Sequence, residues 1–321
     1  MGTGKTKDKD KLMSFKKNDF VRHPSKPKWG VGIVVSDQRG ERVSVYFENK
    51  SKITTLILAN INLEIVSDPA QSRLYLENII TGDTRNGVTD QKPFPEIVEE
   101  FINRFSGGLY GQVLERFERK YKDEAHEKFI TLLSKSEFQK LVEAEQWAVL
   151  AERIKKCHTI NMLSKFELIR FSDVLREPDA QKAIGEGLFD LLYGGDSMQK
   201  RFMRYAKVLE GYDCNKWPII TLPLFFCFPE EHMFIKPTMT QEAAENRRFD
   251  IQYNSHLNWN TYSHVLLFAK DLYERMSADN NTQLHPRDMI DVQTFMWCTF
   301  AGGWGTEEIK KAEAELQSQN K

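Results

Sequence analysis

The chain changes its hydrophobic period once. Between residues 15 and 66 apolar positions alternate with polar ones over short runs, and beyond residue 94 they recur every three or four residues. In Arg42-Val43-Ser44-Val45-Tyr46-Phe47, the residues Val43, Val45 and Phe47 share one face, as a half-buried strand requires. The same reading predicts strands from Asp19 to Arg22, Val31 to Ser36, Lys52 to Leu58 and Leu63 to Val66. Asp37-Gln38-Arg39-Gly40 and Glu48-Asn49-Lys50-Ser51 supply turns on either side of the Arg42 strand. Five short strands at this spacing predict a closed or nearly closed β-barrel. Gly30 and Gly32 permit a tight turn into a bent strand, Pro24 and Pro27 stiffen the loop before it, and His23 with Trp29 is expected to close one end.

Residues 67–94 are dense in turn formers (Asp68-Pro69, Thr81-Gly82-Asp83, Asn86-Gly87) and read as a linker, with room for a short helix near Ser72 to Ile80. Residues 95–321 follow as a larger, mostly α-helical domain. Its first helix carries the stripe Phe94, Ile97, Val98, Phe101, Ile102 and Phe105. A mixed-sign charge run from Glu115 to Lys128 is expected to be a solvated helix surface. Ser136 with Gln139, and Ser164 with Glu167, have the spacing of capping boxes, and Asp196 is expected to cap a further helix. The stretch 217–237 breaks the helical rhythm: Ile219, Ile220, Leu222, Leu224, Phe225, Phe226 and Phe228 are nearly continuous and interrupted by prolines. It predicts a buried extended segment or short hairpin. Helices resume at Gln241, Trp259, Pro286 and Thr306.

Charge sharpens this division. The net charge of −1 splits into +6 over residues 1–66, thirteen Lys/Arg against seven Asp/Glu, and −7 over the rest. The basic end is therefore the candidate for acidic or phosphate-bearing partners. Residues 1–14 lack periodicity and are expected to form a disordered basic tail. Its string Gly2-Thr3-Gly4-Lys5-Thr6 imitates a phosphate-binding loop, but no strand can precede residue 2, so no nucleotide or other cofactor is assigned there. Cys157, Cys214, Cys227 and Cys298 form no CxxC pair and read as buried thiols. The longest apolar run, Pro218 to Pro229, falls short of the ~20 residues a membrane helix needs. A cytoplasmic protein with no membrane partner is expected.

The segments Asp19-Phe20-Val21-Arg22-His23-Pro24, Trp29-Gly30-Val31-Gly32-Ile33-Val34 and Val43-Ser44-Val45-Tyr46-Phe47 carry a resemblance. Together they resemble the SH3-like, Tudor-like domain at the C-terminus of bacterial UvrD/PcrA-type repair helicases and related stand-alone bacterial domains. They are more distantly similar to the RNA polymerase interaction domain of CarD-type factors. The resemblance covers residues 15–66 and implies docking on RNA polymerase or on a helicase or nuclease. Its candidate contacts are the exposed cations Lys26, Lys28, Arg39, Arg42, Lys50 and Lys52, with a solvent-facing aromatic pair, Trp29 and Tyr46. The same cations could track a DNA or RNA backbone. A merely solvated basic face is the plain alternative.

Catalytic candidates in the helical domain are few. In His285-Pro286-Arg287-Asp288-Met289-Ile290-Asp291 two carboxylates lie three apart beside His285, an arrangement that can hold a metal or divide acid and base roles. Pro286 and Asp288 at a helix start also satisfy capping alone, and that reading is favoured. His232 with Lys236, and His256 with His264, form a second, weaker set. Neither a GxSxG elbow, an HExxH helix nor a nuclease-type carboxylate–lysine spacing occurs. The aromatics of the last third, Trp217 through Trp297 to Trp304, could line a nucleotide or peptide pocket but are expected to be mostly core. The sequence thus points to a non-enzymatic adaptor whose barrel docks on a DNA- or transcription-associated machine while the helical domain binds a second partner. A metal-dependent nuclease or nucleotide-handling effector in phage defence, and a direct nucleic-acid binder, are the alternatives.

Overall fold

The computed structural model describes residues 14–50, 52–69, 72–79 and 92–319. The N-terminal tail with its phosphate-loop-like string, and the turn-rich stretch 80–91, lie outside the described residues. The chain divides into two compact units, Met1–Phe94 and Pro95–Lys321.

The first unit is a five-stranded antiparallel sheet of β1 (Phe20–Arg22), β2 (Val31–Arg39), β3 (Arg42–Phe47), β4 (Ile53–Ile57) and β5 (Glu64–Ile65), in the order β4-β3-β2-β1-β5. Each falls where the alternation predicts a strand. The inward residues Val21, Val34, Val43, Val45, Phe47 and Leu56 meet Phe15 and Leu63 in one core. Each such side chain stabilises the fold by roughly 1.5–3 kcal/mol when fully buried. Register shifts between Val34 and Arg39 let β2 bend around that core. Gly30 takes φ +75°, and a β-carbon there would lie 2.5 Å from the Glu48 carboxylate, which accepts the Val31 N–H at 2.9 Å. Helix α1 (Ser72–Glu77) occurs inside the stretch expected as linker. It covers the outer face of the sheet, where the Tyr75 and Tyr46 hydroxyls meet at 2.8 Å and the Arg73 guanidinium lies 5.3 Å from the Phe20 ring.

The second unit begins with α2 (Phe94–Arg104) and α3 (Gln112–Leu114), which continues through a π turn (Glu115–Arg119) into α4 (Lys120–Leu132). There follow α5 (Lys135–Glu143), α6 (Trp147–His158), α7 (Lys165–Val174), α8 (Pro178–Tyr193), α9 (Met198–Gly211) and α10 (Trp217–Cys227). Then come α11 (Pro237–Asn246), α12 (Trp259–Ser277), α13 (Met289–Thr299) and α14 (Thr306–Gln319). Ser164 and Glu167 form the expected capping box on α7. The other two expected caps shift: α5 starts after Ser134, not Ser136, and α9 after Ser197, while Asp196 instead pairs with Arg204 at 2.8 Å. Helix α8 packs on α6 and α9, and α13 on α11, α12 and the π turn.

The extended segment or hairpin expected over 217–237 is corrected. Trp217–Cys227 is a helix, α10, every residue of which is buried, and only the chain after it is irregular. A helix that is apolar all round has no polar face to reveal its period, so a continuous apolar run does not distinguish it from a strand. Pro223 inside α10 supplies no N–H to the Ile219 carbonyl. That carbonyl faces the fully buried His158 ring, whose Nδ1 already meets the Ile154 carbonyl at 2.8 Å.

Candidate functional site

In the β unit, the short 3₁₀ turn Pro27–Trp29 lifts Trp29 to the end of the sheet, where His23 meets it edge-on at 4.8 Å and Phe47 at 5.2 Å. Trp29 is half-buried and His23 buried, so the two close that end as the sequence suggests. The Lys50 ammonium lies 3.7 Å from the Trp29 ring centroid, a cation–π contact. Lys26, Lys28 and Lys52 are exposed nearby in sequence, and none of the four lysines forms an ion pair among the described residues. Burial first, and then the charges of Lys52 and Lys26, lower the Lys50 pKa. Burial, with Lys26 and Lys50, likewise lowers that of His23. Lys26 and Lys52 are therefore close enough to repel the Lys50 ammonium, which itself lies over a half-exposed indole.

The remaining predicted contacts separate from this cluster. Arg39 and Arg42 are exposed and paired in register at the opposite end of the β2–β3 hairpin. The length of β3, roughly 16 Å at ~3.3 Å per residue, lies between Arg42 and the Lys50 end. Tyr46 is corrected outright: it is 1% exposed, because α1 covers the face on which its register places it.

In the helical unit the charge run from Glu115 is only partly the solvated surface expected: Arg116, Lys120, Glu124, Glu127 and Lys128 are exposed, but three of its charges are buried. Glu118 and Arg119, in the π turn, are both buried, and Lys122 one turn later is fully buried. Lys122 Nζ donates to Glu118 Oε2 and to Thr294 Oγ1, each at 2.8 Å, and Trp304 Nε1 donates to Glu118 Oε1 at 2.7 Å. Arg119 grips Asp288 with two bonds of 2.7 Å and reaches Asp123 at 2.7 Å and Asp291 at 3.1 Å. Burial alone would lower the pKa of that guanidinium, but its bonds to Asp288 and the surrounding carboxylates raise it instead.

Asp288 is also the N-cap of α13, accepting the N–H groups of Ile290 and Asp291. Asp291 is held by Arg287, which bonds both of its carboxylate oxygens, at 2.7 and 2.9 Å. His285 Nε2 instead meets the Asp279 carbonyl at 2.8 Å. The three catalytic candidates are thus committed to backbone and guanidinium partners. The weaker histidine set does not assemble either. His232 is buried against the Tyr262 hydroxyl at 3.1 Å, His264 bonds Gln252 and Asn260, and His256 bonds Asn254. Among the described residues no three His, Cys, Asp or Glu side chains gather as metal ligands would.

All four cysteines are buried, and burial pushes the Cys157 thiol up to about 12 and that of Cys214 to about 11. Of the late aromatics, Trp217, Phe225, Phe226, Tyr262 and Phe295 are core, whereas Trp297 and Trp304 stay half-buried. No helix among the described residues is long and apolar enough to cross a membrane.

The fold defines a chain with a small antiparallel β unit ahead of a larger helical one. A family model described as a protein of unknown function (DUF3553) matches residues 15–66, the stretch that holds all five strands. No curated protein and no solved structure matches the chain.

Proposed function

We propose that this chain is an adaptor. In this reading the β unit is an SH3-like, Tudor-like interaction module that docks on a DNA- or transcription-associated machine, RNA polymerase or a helicase–nuclease, through the lysine-ringed face of Trp29. The helical unit then serves a second binding partner. The observation that carries the reading is Lys50 seated over a half-exposed tryptophan with Lys26 and Lys52 near enough to repel it, and with no carboxylate of the described residues paired to any of the three. Like charges held together are costly in isolation and are relieved by a complementary surface. An aromatic at the centre of a charged rim is the usual anatomy of a docking hot spot.

Direct nucleic-acid binding is the second reading, supported by the same lysines. The separation of Arg39 and Arg42 from them favours a compact acidic protein surface over a long phosphate track. Titration of the full chain onto purified RNA polymerase, a UvrD/PcrA-type helicase and single- and double-stranded oligonucleotides, at several salt concentrations, separates the two. Docking predicts that one of the proteins binds more tightly than any oligonucleotide. The alternative predicts oligonucleotide affinity that dominates and falls with salt by about 0.9 log units per tenfold salt for each phosphate contact. Binding to none of these would refute both.

A further inference from the structure

The helical unit contains a cavity of about 380 Å³ beside the π turn, bordered by α13, the start of α11 and the loop before α14. That lies within the ~300–1,000 Å³ of small-molecule sites. Its wall is aromatic: Phe117, Tyr121, Phe234, Trp297 and Trp304.

Three features distinguish it from a packing gap. Gln293 lines the cavity at 5% exposure, yet its Oε1 has no hydrogen-bond partner among the described residues, and its Nε2 reaches only the weakly accepting Met239 Sδ at 3.6 Å. A buried carboxamide left half-satisfied destabilises the fold unless something else supplies the missing bond. The two indoles are held in place: Trp304 by its bond to Glu118, and Trp297 by Gly303, where a β-carbon would lie 2.1 Å from the ring. Lys236 is exposed at the opening, 5.7 Å from the Trp297 ring centroid and without an ion pair among the described residues.

We infer that this cavity is a nucleotide-binding site, with the base against the aromatic wall, the Gln293 carboxamide turning to bring its closed-off Oε1 to a base N–H, and the phosphate at Lys236. A flat ring suits indole and phenyl walls, and stacking on them tolerates any base. The unmet acceptor at Gln293 calls for a donor, which each nucleobase carries on a flat ring that also fits the aromatic wall. A cationic ligand is disfavoured, because Glu118 is already neutralised by Lys122 and a lysine stands at the opening. Glu308 also borders the opening, so the phosphate contact adds to base recognition without replacing it, and nucleosides bind too. This site is independent of the docking face.

The test is tryptophan fluorescence and calorimetry on the full chain, with adenosine, guanosine, cytidine, uridine, their 5′-monophosphates and inorganic phosphate as probes. At least one nucleoside and its monophosphate should bind saturably at one site, the monophosphate more tightly, with Kd below about 1 mM. Gln293→Leu should weaken both at least tenfold. Lys236→Met, at an exposed position that leaves folding intact, should remove the advantage of the monophosphate and spare the nucleoside. Absence of saturable binding to every base-bearing probe overturns the site. So does phosphate binding as tightly as the nucleotides, or monophosphate affinity unchanged in Lys236→Met.

Discussion

At the level of single residues, the helical unit is built around buried charges that satisfy one another. Arg119 is the hub, because it holds Asp288, Asp291 and Asp123 together. Removing one partner of such a pair leaves an uncompensated charge, at a cost of about 3–5 kcal/mol. Arg119→Met and Asp288→Ala should each lower the midpoint of urea unfolding accordingly. A catalytic role for Asp288 would instead leave stability nearly unchanged. The buried imidazoles set the response to acid. Burial holds His158 and His232 at about 4, below the ~6.5 of a free histidine. Between those values the unfolded chain takes up protons that the folded chain refuses. The stabilisation is thus complete above pH 6.5 and is lost as pH falls toward 4, by up to about 1.4 kcal/mol per histidine per pH unit. His232→Gln should flatten that decline when stability is followed by denaturant titration from pH 7 to pH 4.5.

At the level of elements, what the sequence made legible was local. The five strands follow from alternation and from turns only a few residues away, and the α7 box from three neighbouring positions. Partners brought from a distance were not legible. Tyr46 looks like an exposed aromatic until α1, 29 residues later in Tyr75, covers it. The Glu115 to Lys128 run looks solvated throughout because the partners that bury Glu118, Arg119 and Lys122 (Trp304, Asp288 and Thr294) lie more than 150 residues away in sequence. The capping role favoured for Asp288 is legible from the helix start, but its partner Arg119, 169 residues earlier, is not. The α1 contact gives its own prediction. Tyr75→Ala removes a fully buried aromatic, and should destabilise the β unit by about 3–5 kcal/mol in denaturant titration. A change below about 1 kcal/mol would mean that α1 is not part of that unit's core.

At the level of the whole molecule, a basic β unit precedes an acidic helical one, and the candidate chemistry divides accordingly. The β unit offers a cationic face with Lys50 over Trp29, and the helical unit offers an open, aromatic-walled cavity. The proposed docking face and the proposed nucleotide site thus lie in different units. The most direct measurement of the docking claim is the affinity of the full chain for purified RNA polymerase or a UvrD/PcrA-type helicase, compared with its Lys26→Glu/Lys50→Glu/Lys52→Glu variant. Circular dichroism should show both proteins equally folded. The account predicts that the wild-type chain binds one of these machines and that charge reversal weakens binding at least a hundredfold, about 2.7 kcal/mol. Equal binding by the two proteins would contradict it.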